Sequence, residues 1–313
     1  MSSAIRSERK HIADQTDIFC LVFSFFQKYG ILNITEEGKR VHIGISTASF
    51  YPAPIEQGIA AAAELGFQRV ELFINSESEY APPFRTQLKQ SLDALGLQVV
   101  SVHPYTSAME GHLLFSDYAR RTEDALDQYE RYFEAAAFFG ASYFTFHGET
   151  LRSRGLPPAR SQHRRIETYH RLCERAASHG ITFTQENVSW CKSSDLAFLR
   201  QLYEGVPELR YTLDIKQAYR AGASWEEYVE TVGDRIVNLH ISDYTDASDC
   251  LLPGKGNVDF RELFQQLEAH GYHGSGMVEV YSNDYSNPDE LRQSRQILQN
   301  VCQTVDFPDR NEE

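Results

Sequence analysis

Eight short apolar runs alternate with helical stretches between residues 42 and 302, and this alternation limits the folds open to the 313-residue chain. Each run has the length and the β-branched or aromatic content of a buried strand. Each is followed by a segment whose apolar residues recur at helical spacing, so the pattern predicts an α/β fold. The eight predicted strands span residues 42–47, 69–73, 97–104, 142–149, 181–188, 209–216, 236–243 and 276–281.

Glycines mark the ends of several predicted helices. ELGF, ALGL, FFGA and SHGI place Gly66, Gly96, Gly140 and Gly180 directly after helical stretches. Glycine readily adopts the left-handed conformation in which many helices end. Eight strand–helix units over about 260 residues match a (β/α)8 TIM barrel, which typically has about 250 residues. A doubly wound open sheet is disfavoured because no GxGxxG follows the first predicted strand.

The barrel is predicted to span residues 41–305, between an N-terminal extension of residues 1–40 and a C-terminal tail of residues 306–313. The extension contains the apolar run CLVFSFF, which follows a segment of mixed charge and precedes no A-x-A cleavage site. A helix that packs on the barrel is therefore favoured over a signal peptide. The oligomeric state stays open, since an apolar face on this helix could mediate self-association.

The net charge, the lengths of the apolar runs and the cysteine spacing predict which partners and which compartment to expect. Lys and Arg number 30 against 44 Asp and Glu, which gives a net charge of −14. Such a field repels phosphate, so we expect no nucleic-acid partner. No apolar run reaches the roughly 18 residues of a spanning helix, so we expect no membrane partner. The five cysteines show no CxxC spacing, which is typical of free thiols in a reducing cytoplasm.

Four predicted strands in the C-terminal half end near residue types that bind metal ions. The segments are TFTQEN with Glu186, YTLDIK with Asp214, IVNLHISD with His240 and GMVEVY with Glu279. When a barrel closes, the C-terminal ends of its strands converge on the face that carries active sites. One imidazole and three carboxylates suit a divalent cation such as Mn²⁺, Mg²⁺, Co²⁺ or Zn²⁺. The pattern predicts one metal centre in the barrel mouth.

Further polar residues near the strand ends are candidate contacts for a substrate. They are Glu71, His103, His147, Lys216 and Gln217. Residues two apart on a strand share a face, which would place Lys216 beside Asp214. Structural alternatives stay open for most of this set. His103 and His147 could cap their strands, Glu71 could accept backbone hydrogen bonds at the rim, and Lys216 could form a local ion pair.

The chain resembles the xylose isomerase-like superfamily of barrels from residue 42 to about residue 302, in the motifs GFQRVEL, SVHP, FHG, TQEN, TLDIKQAYRAG, VNLHISD, LPGKGNVDF and MVEVY. The resemblance implies that the four strand-end residues hold one divalent metal. It also implies that Glu186 and Glu279 act as an acid–base pair, one removing a proton next to a carbonyl and the other returning it on the opposite face. His103 and His147 would contact the substrate.

One position departs from the pattern of many relatives, which carry a histidine three residues after the sixth-strand aspartate. Gln217 stands there, preceded by Lys216. An amide binds a hydroxyl group but is a poor metal ligand, which weakens the analogy with characterised ketose epimerases and, still more, with the multi-metal endonuclease IV.

We expect a metal-dependent isomerase or epimerase of a sugar or sugar phosphate that abstracts a proton next to a carbonyl and forms a metal-stabilised enediolate. The expected partner is a small sugar or polyol. A lyase like inosose dehydratase, an apurinic-site nuclease and a sugar-binding barrel without turnover remain alternatives. The nuclease would need about three metal ions, so counting bound metals separates it from the others.

Overall fold

The computed structural model describes residues 41–151 and 162–304. The predicted extension, residues 1–40, and the predicted tail, residues 306–313, lie outside the described residues. The described strands are β1 His42–Ser46, β2 Arg69–Phe73, β3 Gln98–His103, β4 Tyr143–Phe146, β5 Thr182–Glu186, β6 Arg210–Asp214, β7 Ile236–Ile241, β8 Asp243–Thr245, β9 Ser248–Leu251 and β10 Ser275–Val278.

Eight of these strands close into a parallel barrel in the order β1-β10-β7-β6-β5-β4-β3-β2. Pairing of β1 with both β10 and β2 completes the ring. The predicted (β/α)8 TIM barrel is therefore confirmed. The hairpin of β8 and β9 was not predicted: the strand expected over residues 236–243 ends at Ile241, and Asp243 starts an antiparallel pair outside the barrel.

Helices surround the barrel and follow its strands along the chain. Their bounds are α1 Ile55–Glu64, α2 Glu77–Tyr80, α3 Phe84–Leu95, α4 Glu110–Leu113, α5 Ala119–Phe139, α6 Gln162–Ser178, α7 Leu196–Gly205, α8 Ile215–Arg220, α9 Trp225–Val232, α10 Phe260–Ala269 and α11 Asp289–Thr304. Short 3₁₀ turns lie at Thr47–Phe50, Ser107–Met109, Lys192–Ser194 and Gly233–Arg235. Within the described ranges, none of these helices combines the length and the apolarity needed to cross a membrane.

The glycines predicted at helix ends adopt the expected backbone conformation. Gly96 ends α3 with φ of 66°, and Gly140 ends α5 with φ of 85°. Gly66 and Gly180 have φ of 82° and 74° and follow α1 and α6. A side chain at such φ values is strained, so the turns that lead into the next strands depend on glycine.

β6 ends at Asp214, two residues before the end of the predicted strand, because Asp214 begins a helix. Its Oδ1 accepts a hydrogen bond from the backbone N–H of Gln217 at 2.9 Å. An aspartate in this N-cap position stabilises the first helical turn, and α8 starts at the next residue. Lys216 and Gln217 therefore lie on a helix. The prediction that Lys216 shares a strand face with Asp214 is wrong.

The main apolar core lies between the barrel and the outer helices. Phe133 of α5 is fully buried and packs edge-on against Phe144 of β4, with ring centroids 5.0 Å apart. It also contacts Phe183 of β5 at 6.0 Å. Such aromatic pairs contribute both buried area and favourable ring geometry, so α5 anchors the two strands that lead to the mouth of the barrel.

Replacement of Phe133 by alanine should lower the free energy of unfolding by about 3–5 kcal/mol, because it leaves a cavity between α5 and the barrel. The matched control is Phe138→Ala on the same helix. Phe138 is 40% exposed and contacts Arg85, so its loss should cost about 1 kcal/mol or less. Urea unfolding followed by circular dichroism measures both values, and equal losses would contradict this packing.

Candidate metal centre

The four residues predicted as metal ligands converge at the C-terminal mouth of the barrel. Glu186 ends β5, Asp214 ends β6, His240 lies in β7 and Glu279 directly follows β10. Each offers a ligand atom, and these atoms all lie within 4.8 Å of one another. The four strands are neighbours in the closed sheet, which explains how residues up to 93 positions apart in sequence meet.

The spacing of these atoms fits one divalent ion. His240 Nδ1 lies 3.0 Å from Glu279 Oε2, 3.3 Å from Glu186 Oε1 and 3.7 Å from Asp214 Oδ2. Ligands bound at about 2.1 Å occupy adjacent corners about 3.0 Å apart in an octahedron and about 3.4 Å apart in a tetrahedron. The three measured distances are close to these values, so the residues fit such an ion with little movement.

Unused acceptor atoms at the centre also favour a cation. Glu279 Oε2 is buried and not aligned for a hydrogen bond with His240, and it has no other donor among the described residues. Glu186 Oε2 is likewise buried without an aligned donor from the described part of the chain, although His147 Nε2 lies 2.9 Å away. Buried carboxylate oxygens without donors are rare in folded proteins, and a bound cation would satisfy both.

The electrostatics of the centre keep its glutamates ionised. Burial would raise the pKa of Glu279, but His240 and Lys216 hold that pKa below its ordinary value. Burial would likewise raise the pKa of Glu186, but the neighbouring imidazoles, His147 first among them, hold it well below. Burial would lower the pKa of His240, whereas the carboxylates of Glu279 and Glu71 raise it well above the usual range. The centre thus holds several ionised carboxylates close together beside cationic groups.

His103 and His147 lie beside Glu186, on the side away from Asp214. Their Nε2 atoms are 2.7 Å apart, and His147 Nε2 is 2.9 Å from Glu186 Oε2. Burial lowers the pKa of His147 despite Glu186, whereas Glu186 outweighs burial at His103 and raises its pKa. Together with Glu186, the two histidines form a second group whose ligand atoms lie within 4.8 Å of one another.

Lys216 lies among the four candidate ligands, and Gln217 lies at the edge of this group. Lys216 is 2% exposed, and its Nζ donates to Asp214 Oδ2 at 2.5 Å and to Glu279 Oε1 at 2.8 Å. Burial would lower the pKa of Lys216, but these two carboxylates raise it well above its ordinary value. Gln217 Oε1 accepts hydrogen bonds from the backbone N–H and the hydroxyl of Ser189. Its amide therefore joins α8 to the loop after β5.

Glu71 lies deeper in the barrel than the other predicted site residues. It is fully buried in β2, and its Oε2 is 3.0 Å from His240 Nε2. Burial would raise the pKa of Glu71, but the adjacent His240 lowers it overall. The alternative of a rim group with backbone donors is wrong, because the side chain is fully buried and accepts hydrogen bonds from the hydroxyls of Ser46, Ser101 and Thr145.

Two aromatic side chains flank the open side of the centre. Trp190, on the loop after β5, is 40% exposed, and its ring centroid is 5.3 Å from that of His147. Tyr281, after β10, is 46% exposed, and Lys216 Nζ lies 6.0 Å from its ring centroid. Arg220 donates to the Tyr281 hydroxyl at 2.7 Å and so fixes that ring at the rim.

Other carboxylates near the mouth organise its loops. Glu149 pairs with Arg165 at 2.7 Å and with Lys192 at 2.5 Å, so its charge is neutralised away from the ligand set. Asp243 accepts hydrogen bonds from the backbone N–H groups of Gly254, Gly256 and Val258. At Gly256 a Cβ atom would lie 2.3 Å from Asp243 Oδ1, which explains the glycine there.

Glu110 of α4 supports the site and was not identified from the sequence. Its carboxylate accepts hydrogen bonds from the backbone N–H groups of His147 at 2.9 Å and Gly148 at 2.6 Å, and from the Tyr129 hydroxyl at 2.8 Å. It thereby holds the turn that carries the His147 side chain. A single acidic residue within TSAMEGHLL has no spacing or periodicity that would reveal this role.

Known proteins share this fold. A family model described as xylose isomerase-like TIM barrel matches residues 59–301. Fructoselysine 3-epimerase of Shigella flexneri is 26% identical over 256 residues, covering 78% of this chain and 92% of that protein. In its solved structure, 3-keto-D-glucoside 4-epimerase of E. coli has a TM-score of 0.67 at 21% identity and covers 83% of this chain and 100% of its own. A D-tagatose 3-epimerase-like protein has a TM-score of 0.70 at 19% identity, with 85% and 98% covered.

Glu110→Gln should change how stability depends on pH. Burial raises the pKa of Glu110 to about 8 from an unfolded value near 4.5, so between these values only the folded chain keeps the proton. The stability of the wild type should therefore fall as pH rises through this window, by at most about 1.4 kcal/mol per pH unit. The variant has no titrating carboxyl group at this position and should lose this pH dependence. Urea unfolding of both proteins at several pH values measures the difference, and parallel pH profiles would contradict it.

Proposed function

We propose that this chain, which belongs to the xylose isomerase-like TIM barrel family, is a divalent-metal-dependent epimerase or isomerase of a sugar or sugar phosphate. The single observation that carries the proposal is the convergence of Glu186, Asp214, His240 and Glu279 at the barrel mouth, with ligand atoms within 4.8 Å of one another. The two glutamates would also move the proton. The 26% identity to a fructoselysine 3-epimerase supports the same class of reaction.

The metal would be one ion of the Mn²⁺, Mg²⁺, Co²⁺ or Zn²⁺ class, because three carboxylates and one imidazole are ligands common to these ions. Such an ion would polarise the substrate carbonyl and stabilise the negative charge that develops when a neighbouring proton leaves. Three carboxylates, those of Glu186, Asp214 and Glu279, face this position, and the Lys216 ammonium contacts two of them. The carboxylate of Glu71 adds further negative charge behind His240. The excess negative charge favours a divalent ion over a monovalent one.

Glu186 and Glu279 are suited to proton transfer between two faces of one carbon. Glu186 ends β5 and Glu279 follows β10, and these strands are separated in the barrel by β6 and β7. A substrate between them would meet one carboxyl group on each side. One carboxylate would take the proton from the carbon next to the carbonyl, and the electron pair would move towards the carbonyl oxygen. The opposite glutamate, which must hold a proton from solvent when the substrate binds, would give that proton to the other face and invert the configuration. Proton exchange with solvent would then restore both groups.

The surrounding residues would bind and orient the sugar hydroxyl groups. His103 and His147 lie next to Glu186, where their ring nitrogens can donate to or accept from hydroxyl oxygens. Lys216 holds Glu279 Oε1 at 2.8 Å, so it fixes one oxygen of the proposed proton carrier. Gln217, joined to Ser189, would act indirectly through the loop after β5. Trp190 and Tyr281 would cover the bound sugar from the rim.

The substrate class follows from the chemistry and from the names of the relatives. Proton removal from a carbon is easy only beside a carbonyl, so the substrate would be a ketose or a keto-glycoside. By its name, the 3-keto-D-glucoside 4-epimerase acts at the carbon next to a keto group, which agrees with this requirement. A dehydratase would begin with the same proton abstraction, and analysis of the product separates the two reactions.

Glu279→Gln should abolish proton transfer, with a loss of about 10²–10⁴-fold in turnover, because the amide cannot take up or supply the proton. The assay is ¹H NMR of a panel of ketoses and keto-glycosides in D₂O with Mg²⁺, which follows deuterium uptake and the appearance of epimers. The control is Glu290→Gln, a surface carboxylate paired with Lys255. Wild-type activity in Glu279→Gln would contradict the proposed role. An unsaturated product would favour the lyase instead.

A further inference from the structure

The carboxylate of Glu71 collects hydrogen bonds from strands all round the barrel. Its Oε1 accepts from Ser46 Oγ of β1 at 3.1 Å, and its Oε2 accepts from Ser101 Oγ of β3 at 2.6 Å and from Thr145 Oγ1 of β4 at 3.0 Å. Asn238 Nδ2 of β7 lies 3.4 Å from the same Oε2. Glu71 is thus held in one orientation from several sides, in the centre of the barrel.

His240 connects this buried carboxylate to the metal centre. Its Nε2 lies 3.0 Å from Glu71 Oε2, and its Nδ1 points to the opposite side, 3.0 Å from Glu279 Oε2 and 3.3 Å from Glu186 Oε1. An ionised carboxylate can only accept hydrogen bonds, so His240 Nε2 must carry the proton in this contact. In the neutral imidazole, which is the form that binds a metal ion, this N–H leaves the lone pair on Nδ1, directed at Glu186 and Glu279.

We propose that Glu71 is a positioning residue that fixes the tautomer and the ring direction of His240, so that Nδ1 is the nitrogen that binds the metal. The inference rests on the proposed function, because it concerns the same metal centre. It replaces the expectation of a direct substrate contact for Glu71 with an indirect role, in which the residue acts only through His240. Carboxylates that hold metal-binding histidines in this way recur in metal sites.

The depth of Glu71 in the barrel supports this role over contact with substrate. The side chain has no exposed surface. Phe73 lies two residues further along β2, and residues two apart share a face, so Phe73 lies on the same face as Glu71 and nearer the mouth. The Phe73 ring centroid is 4.8 Å from that of His103, which closes this side of the site. A sugar at the mouth would meet His103 and Phe73 before it could reach Glu71.

Glu71→Met tests the proposal, because methionine has a similar length and offers His240 no strong acceptor. The Mn²⁺ dissociation constant, measured from the EPR signal of free Mn²⁺, should rise about 10–100-fold. Glu71→Gln keeps a neutral acceptor and should recover part of the affinity. Near-UV circular dichroism should stay that of the wild type in both variants. If Glu71 had only a structural role, Mn²⁺ affinity would not fall stepwise from wild type to Glu71→Gln to Glu71→Met with the fold unchanged.

The matched control is Glu149→Met, since Glu149 is also a buried carboxylate near a strand end, but pairs with Arg165 and Lys192 outside the ligand set. Its loss should affect stability and leave the Mn²⁺ dissociation constant within about twofold of the wild type, since it orients no ligand. A wild-type dissociation constant in Glu71→Met would overturn the inference alone. A wild type that binds no Mn²⁺ would overturn the proposed function and, with it, this inference.

A second measurement needs no variant and applies even if Glu71→Met fails to fold. ¹⁵N NMR of the wild type labelled in histidine and loaded with diamagnetic Mg²⁺ or Zn²⁺ distinguishes the two ring nitrogens of His240. His240→Asn provides the assignment of the signals. We expect a protonated Nε2 and a metal-bound Nδ1. Metal binding through Nε2, or a proton on Nδ1, would overturn the inference.

Discussion

The arrangement of the barrel mouth depends on His240, which contacts both the polar interior of the barrel and the candidate metal centre above it. Its Nε2 reaches down to Glu71 in the polar interior, and its Nδ1 faces the carboxylates of Glu279 and Glu186 above. The interior donors orient Glu71, Glu71 orients the imidazole, and the imidazole defines where a cation would lie. The outer helices contribute by packing aromatic side chains against β4 and β5, which fixes the strand ends that carry the site.

The architecture and the convergence of the four candidate ligands were predictable from the sequence because both follow from local patterns. Alternating apolar runs and helical stretches, with glycines such as Gly96 and Gly140 at helix ends, determine the number of units in the barrel. Closure of the barrel then brings strand ends together whatever their separation in sequence. Glu186 and Asp214 end their strands, His240 pairs in register with Asp214, and Glu279 directly follows β10, so their convergence followed from their positions at neighbouring strand ends.

Other parts of the site depend on contacts that no local pattern contains. Asp214 caps a helix, which moves Lys216 off the predicted strand and still brings its Nζ to 2.5 Å from Asp214 Oδ2. The roles of Glu71 and Glu110 depend on donors from elements distant in sequence. In the sequence each is only one acidic residue among 44. The depth of a side chain within the barrel and the direction of an imidazole nitrogen require the three-dimensional structure.

The central claim is that the barrel mouth is a centre for one divalent metal, and the metal content of the purified protein tests it most directly. Elemental analysis by mass spectrometry after loading with Mn²⁺ and desalting should find about one ion per chain, and Asp214→Asn should lose most of it. About three ions per chain would favour a multi-metal nuclease. No bound metal in the wild type, or full occupancy in Asp214→Asn, would contradict the assignment of this centre.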